Sequence, residues 1–164
     1  MKRHLAILGL LTFSQAVLSA EIGAGYTCKA TQSPERIVRS LINDGVLFKQ
    51  WFANEDSVAY YETSGSHTAF GFPLVAVAAF EEGSAFFGRS PGTSPGNRIA
   101  IVVMAPLWQV RQALQKQKLQ LASRNAGTFP NLSVESYANE FPEPLPKSVK
   151  PNFVFTQVLC RPHN

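Results

Sequence analysis

The chain has 164 residues, about one domain's worth. It is 45% apolar and 16% charged, which excludes an intrinsically disordered chain. Eleven Gly and eleven Pro without a period exclude collagen, and the lack of any self-similar repeat excludes solenoids and propellers. The formal net charge of +4 includes Lys2 and Arg3.

Met1-Lys2-Arg3-His4 is a short basic start, followed by the apolar run Leu5–Phe13 and a small-residue stretch ending in Leu18-Ser19-Ala20. This is the order of a secretory signal peptide. The run is too short to span about 30 Å of hydrocarbon as a helix. Residues 1–20 are therefore expected to be cleaved, after Ala20, leaving 21–164 as a single globular domain. The 15 basic residues then fall to 13 against 11 acidic ones, a net charge of +2. No cluster of Lys and Arg has the density that nucleic-acid binding requires, so no nucleic-acid partner is expected.

Cys28 and Cys160 lie near the two ends of the mature chain. An exported chain meets an oxidising compartment, and two cysteines allow one pairing. A Cys28–Cys160 disulfide is expected, joining the first and last strands. It would close a loop of about 130 residues, for which chain entropy gives near 5 kcal/mol.

Ser33-Pro34-Glu35 reads as a helix start: a hydroxyl cap, a proline at the first helical position and an acid in the first turn. Ile37, Val38, Leu41 and Ile42 form one apolar stripe, and Asn43-Asp44-Gly45 stops the helix. Strands are expected over Val46–Ala53 and Ser57–Thr63. Ser64-Gly65 reads as a two-residue hairpin turn into Ser66–Gly71. Leu74–Phe80 and Arg98–Ala105 read as buried strands, with another over Ala85–Arg89. The apolar runs Phe72–Phe80 and Ile99–Ala105 suit buried strands and are too short for membrane helices, so no integral membrane association is expected. Between them, Ser90–Asn97 has no apolar residue and reads as an exposed loop.

Leu107–Arg124 reads as the second helix, because Leu107, Val110, Leu114 and Leu121 fall within about 60° of arc. Leu132–Ala138 fits either a strand or a short helix. Pro142, Pro144, Pro146 and Pro151 make the segment 142–151 an extended surface linker. The last strand is Phe153–Cys160. Runs of strands joined by short turns favour an antiparallel sheet, and the expected class is α+β with two helices packed on one face. Seven of the twelve Phe lie between Phe48 and Phe87, so an aromatic-rich core is expected there.

Few residues carry a chemical signal. Apart from His163, close to the C-terminus, the mature chain has only His67, with no second His at ligand spacing, so no metal is expected. No Gly-x-Ser-x-Gly or cofactor motif is present, and no cofactor is expected. If the chain turns at Ser64-Gly65, Glu62 lies opposite His67 on one face, with Tyr60 two residues along. That is an acid–base pair in outline, and equally an exposed ion pair worth about a few tenths of a kcal/mol. The Arg89–Arg98 loop could turn backbone N–H groups toward an anion, with an Arg at each rim. It could as well be a plain connection. Trp51-Phe52 and Leu107-Trp108 could anchor a partner or fill the core. The expected role is that of an exported, periplasmic binding protein of the bacterial envelope: an inhibitor, immunity-type or accessory protein whose partner is another envelope or secreted protein. The alternatives are a small periplasmic hydrolase and a ligand-binding α+β cup.

Overall fold

A computed structural model of the chain describes residues 22, 33–91, 94–117, 132–136 and 154–161. The signal segment, Cys28, the linker 142–151 and the stretch 118–124 of the expected second helix lie outside the described residues.

The first helix, α1, spans Pro34–Asn43. Ser33 is extended, and its hydroxyl accepts the Arg36 N–H at 3.2 Å. This satisfies one of the donors a helix start leaves open. The helix ends as the sequence predicts. Gly45 takes φ +72°, its N–H donates to the Ile42 carbonyl, and the Val46 N–H donates to the Leu41 carbonyl. These paired bonds are a Schellman cap, and the left-handed residue between them favours glycine. Val38 is fully buried, and Ile37, Leu41 and Ile42 pack beside it.

Among the described residues seven strands follow: β1 Ala53–Glu55, β2 Val58–Glu62, β3 Thr68–Ala69, β4 Phe72–Phe80, β5 Arg98–Met104, β6 Leu132–Ser136 and β7 Phe155–Cys160. The second helix, α2, spans Leu107–Lys116 between β5 and β6. The sheet order is β1-β2-β4-β5-β7-β6, with β3 paired to β4. Every pairing is antiparallel. The fold class is α+β, as expected.

In β4 and β5 the stretches Leu74–Phe80 and Ile99–Val103 are buried at every residue. Strands with one wet face alternate apolar and polar residues. Here Val77 pairs with Ile101 and Ala78 with Ala100, so apolar atoms occupy both faces. Val38 from α1 and Val110 and Leu114 from α2 join the same buried cluster. Cys160 is buried at the end of β7, and no described cysteine is free. Its expected partner Cys28 lies outside the described residues.

Three expected elements are corrected. Val46–Ala53 is not a continuous strand: Leu47 makes a single bridge to Thr63, and pairing resumes only at Ala53. The Val46 and Leu47 N–H groups are spent on the Leu41 carbonyl, which ties the chain to the helix end. The β1–β2 turn is Asp56-Ser57, both at positive φ, the backbone of a type I′ hairpin. Ser64-Gly65 does not make a hairpin with β2. Thr63 N–H donates to the Val75 carbonyl, so the place beside β2 belongs to β4. The tight turn comes later, at Phe70-Gly71, again with both φ positive, and joins β3 to β4. Ala85–Arg89 is irregular, because the Ser84 hydroxyl accepts the Phe86 N–H and bends the chain there.

Candidate functional site

The sheet pairing decides the fate of the Glu62–His67 pair. Glu62 lies opposite Ala76 of β4, and its carbonyl accepts the Phe48 N–H from the other side. His67 precedes β3, and its backbone carbonyl accepts the Leu74 N–H. The two are therefore not cross-strand neighbours, and the expected row of Tyr60, Glu62 and His67 does not form. Tyr60 is buried opposite Ala78, with its ring 6.3 Å from that of Phe52.

His67 instead lines a cleft of about 380 Å³ with Thr63, Ser66, Thr68, Leu74 and Met104. Thr63 is tied off within it, its hydroxyl 3.1 Å from the Gly65 carbonyl and 3.3 Å from that of Val46. His67 Nδ1 is shielded from solvent and has no hydrogen-bond partner among the described residues.

The two arginines of the β4–β5 connection are placed differently. Arg89 is exposed. Arg98 is half-buried opposite Phe80, and its Nη2 donates to the Pro95 carbonyl at 3.3 Å. Gly92, one of the glycines of the expected anion nest, and Thr93 beside it lie outside the described residues. Among the described residues, no group of three His, Cys, Asp or Glu side chains could hold a metal ion. Nor is any described helix long and apolar enough to cross a membrane.

The large exposed apolar side chains include Phe48 and Trp51, with 51% and 45% of their surfaces in water. Both sit on the irregular run between the α1 cap and β1. Its backbone is nevertheless fixed. Phe48 N–H donates to the Glu62 carbonyl at 3.0 Å, and Phe52 N–H to the Tyr60 carbonyl at 2.9 Å. Phe52 itself turns inward, so the segment alternates outward Trp51 with inward Phe52. Trp108, 64% exposed, stands at the start of α2.

Beside Trp51 runs Glu81–Pro91, the first part of the β4–β5 connection. Gly88 lies next to the indole: a Cβ there would sit 3.9 Å from Trp51 Cζ2. The Asn54 amide donates to the Gly88 carbonyl at 3.2 Å, and the Ser90 N–H donates to the Ser57 hydroxyl at 2.9 Å. These bonds hold the segment beside β1, one edge of the described sheet, and the turn that follows it.

The other end of the same segment is held by carboxylates. Glu81 Oε2 accepts from the Ser33 hydroxyl at 2.6 Å and from the Glu35 N–H at 2.8 Å. It thus places a negative charge at the start of α1, where the helix dipole favours one. Glu35 Oε2 accepts from the Ser84 hydroxyl and Oε1 from Arg39 Nε, each at 2.6 Å. These bonds, Ser84 first and then Arg39, hold the Glu35 carboxyl below the usual carboxylate range. The Arg39 guanidinium lies 4.2 Å from the Phe86 ring centre, and Phe86 stacks on Tyr61 at 6.0 Å. Burial pushes the Tyr61 phenol up to about 12.

The Glu35–Arg39 pair is legible as an i,i+4 spacing. The Ser33–Glu81 and Glu35–Ser84 bonds join residues nearly fifty positions apart, and no local pattern announces them. No family model, curated protein or solved structure matches this chain.

Proposed function

We propose that this chain is an exported binding protein of the bacterial envelope that engages another envelope or secreted protein through the surface around Phe48 and Trp51. The observation that carries the reading is the pair of half-exposed aromatic side chains on a backbone fixed from both ends. Aromatic anchors held this way lose little freedom on binding and bury large areas. The signal-peptide pattern of residues 1–20 supports export. The Cys28–Cys160 bridge and the packing of both helices on one face belong to the same reading. The hydrolase alternative loses the pair on which it was built, since Glu62 faces Ala76. The cleft beside His67 favours a second reading, binding of a small ligand in a cavity at the lower end of ligand-pocket sizes.

The test is site-specific photocrosslinking in cells exporting the protein. A photoreactive residue at position 48 or 51 should give one discrete crosslinked product, and the same residue at the exposed position Asn43 should not. Equal crosslinking from all three positions, or none from 48 and 51, would contradict the reading.

A further inference from the structure

The loop between β2 and β3 spends most of its backbone donors inside the fold. Thr63 N–H donates to the Val75 carbonyl at 3.2 Å, Ser64 N–H to that of Val46 at 2.9 Å and His67 N–H to that of Gly65 at 3.0 Å. Gly65 and Ser66 are the exception. Neither N–H has an acceptor among the described residues, and the Ser66 hydroxyl has no partner there either. Both residues line the cleft beside His67. Successive backbone N–H groups left open in this way suit an anion from outside the chain.

His67 adds a further donor. A proton on the shielded, unpaired Nδ1 would be a buried donor without an acceptor, so Nε2 carries it. Nε2 lies beside Gly65: a Cβ on that glycine would sit 3.5 Å away. Four donors thus come from three consecutive residues on one wall of the cleft. The described residues that line it include no Asp or Glu to repel an anion, and no Lys or Arg to match a phosphate. The rest of the wall is largely apolar, from Pro73, Leu74, Val75 and Met104. Donors without a fixed charge beside a hydrocarbon surface suit a singly charged head on an apolar body.

We propose that this cleft binds a short-chain monocarboxylate. The carboxylate accepts from the Gly65 and Ser66 N–H groups, the Ser66 hydroxyl and His67 Nε2. The hydrocarbon lies against Leu74, Val75 and Met104. The proposal rests on the second reading above, that the cleft takes a small ligand, and gives that ligand its chemistry. A volume of about 380 Å³ restricts the ligand to a small molecule.

The test is a titration followed by nuclear magnetic resonance, with sodium hexanoate and hexan-1-ol as probes of equal chain length. Met104 is the chain's only methionine besides Met1, so a labelled methionine methyl reports on the apolar wall. Hexanoate should shift that methyl saturably and move the Gly65 and Ser66 amide protons downfield. Hexan-1-ol, which lacks the charge, should bind at least about tenfold more weakly. His67→Phe keeps a ring but removes the Nε2 donor, and should weaken hexanoate by about tenfold. Ser66→Ala should weaken it severalfold. The comparison of the two probes on the unsubstituted protein stands whether or not either variant folds. Equal affinity for hexanoate and hexan-1-ol would overturn the carboxylate assignment and leave the cleft as a small-ligand site. No saturable shift with either probe would overturn both, and unchanged hexanoate affinity in both folded variants would overturn the assignment of the donors.

Discussion

The link between Glu81 and the start of α1 offers the sharpest energetic test of the fold. A ten-residue helix is marginal by itself, so α1 depends on its cap and its buried stripe. Glu81→Ala deletes two short bonds to a charged acceptor in a half-buried position. Hydrogen bonds to charged groups are worth about 1.5–3 kcal/mol each when buried, and partial exposure places this pair near about 2–3 kcal/mol together. Ser33→Ala removes the Arg36 cap and the donor to Glu81, for about 1–2 kcal/mol. The Ser33–Glu81 bond is counted in both single variants. The double variant should therefore cost less than the sum, by about 0.5–1.5 kcal/mol. Urea unfolding followed by circular dichroism gives all four corners of the cycle. Additivity within about 0.3 kcal/mol would show that the bond carries no energy, and would refute the idea that Glu81 anchors the helix.

Gly45→Ala should destabilise by about 1 kcal/mol in the same assay, because alanine strains at φ +72° more than it gains from a stiffer unfolded chain. Ile101→Ala, at a fully buried site of β5 between β4 and β7, should cost about 2–5 kcal/mol. The Tyr61 phenol keeps its proton to about 12, so the folded state holds a proton that the unfolded state has already lost near 10. Stability should fall as the pH rises between those values, and Tyr61→Phe should remove the late component of an ultraviolet titration. Thiol titration of the denatured, unreduced mature protein should find no free thiol, and two free thiols would exclude the Cys28–Cys160 bridge.

What the sequence discloses follows the range of the interactions involved. The α1 helix was legible at both ends, because Ser33, Pro34 and Gly45 act on neighbours within four residues. The buried strands β4 and β5 were legible as apolar runs of strand length. The hairpins were not. A glycine-based turn rule selects Ser64-Gly65, whereas the structure puts Ser57 and Phe70 at positive φ, where such residues rarely sit. Tertiary contacts hold both: Ser57 is buried against Ser90, and Phe70 is buried in the core. The misplaced turn then misplaced the candidate site, since the facing of Glu62 and His67 depended on it. The Ala85–Arg89 strand failed for a related reason. Its Phe87 is buried and Phe86 half-buried, as strand residues could be, but they pack from an irregular segment onto Tyr61 and each other. The exposed aromatics were visible as residues, but not as a surface. Phe52 is as apolar as Trp51, and only the backbone bonds of the segment send one in and the other out.

The claim on which this account rests is that Phe48 and Trp51 serve a partner and not the core. Side chains already half in water should cost little when truncated, whereas core aromatics cost about 3–5 kcal/mol each. The direct measurement pairs the unfolding midpoint of a Phe48→Ser, Trp51→Ser variant with its photocrosslinking in exporting cells from the neighbouring position Lys49. The account predicts a midpoint close to that of the unsubstituted protein and loss of the discrete crosslinked product. An intact crosslink, or collapse of stability by several kcal/mol, would contradict it.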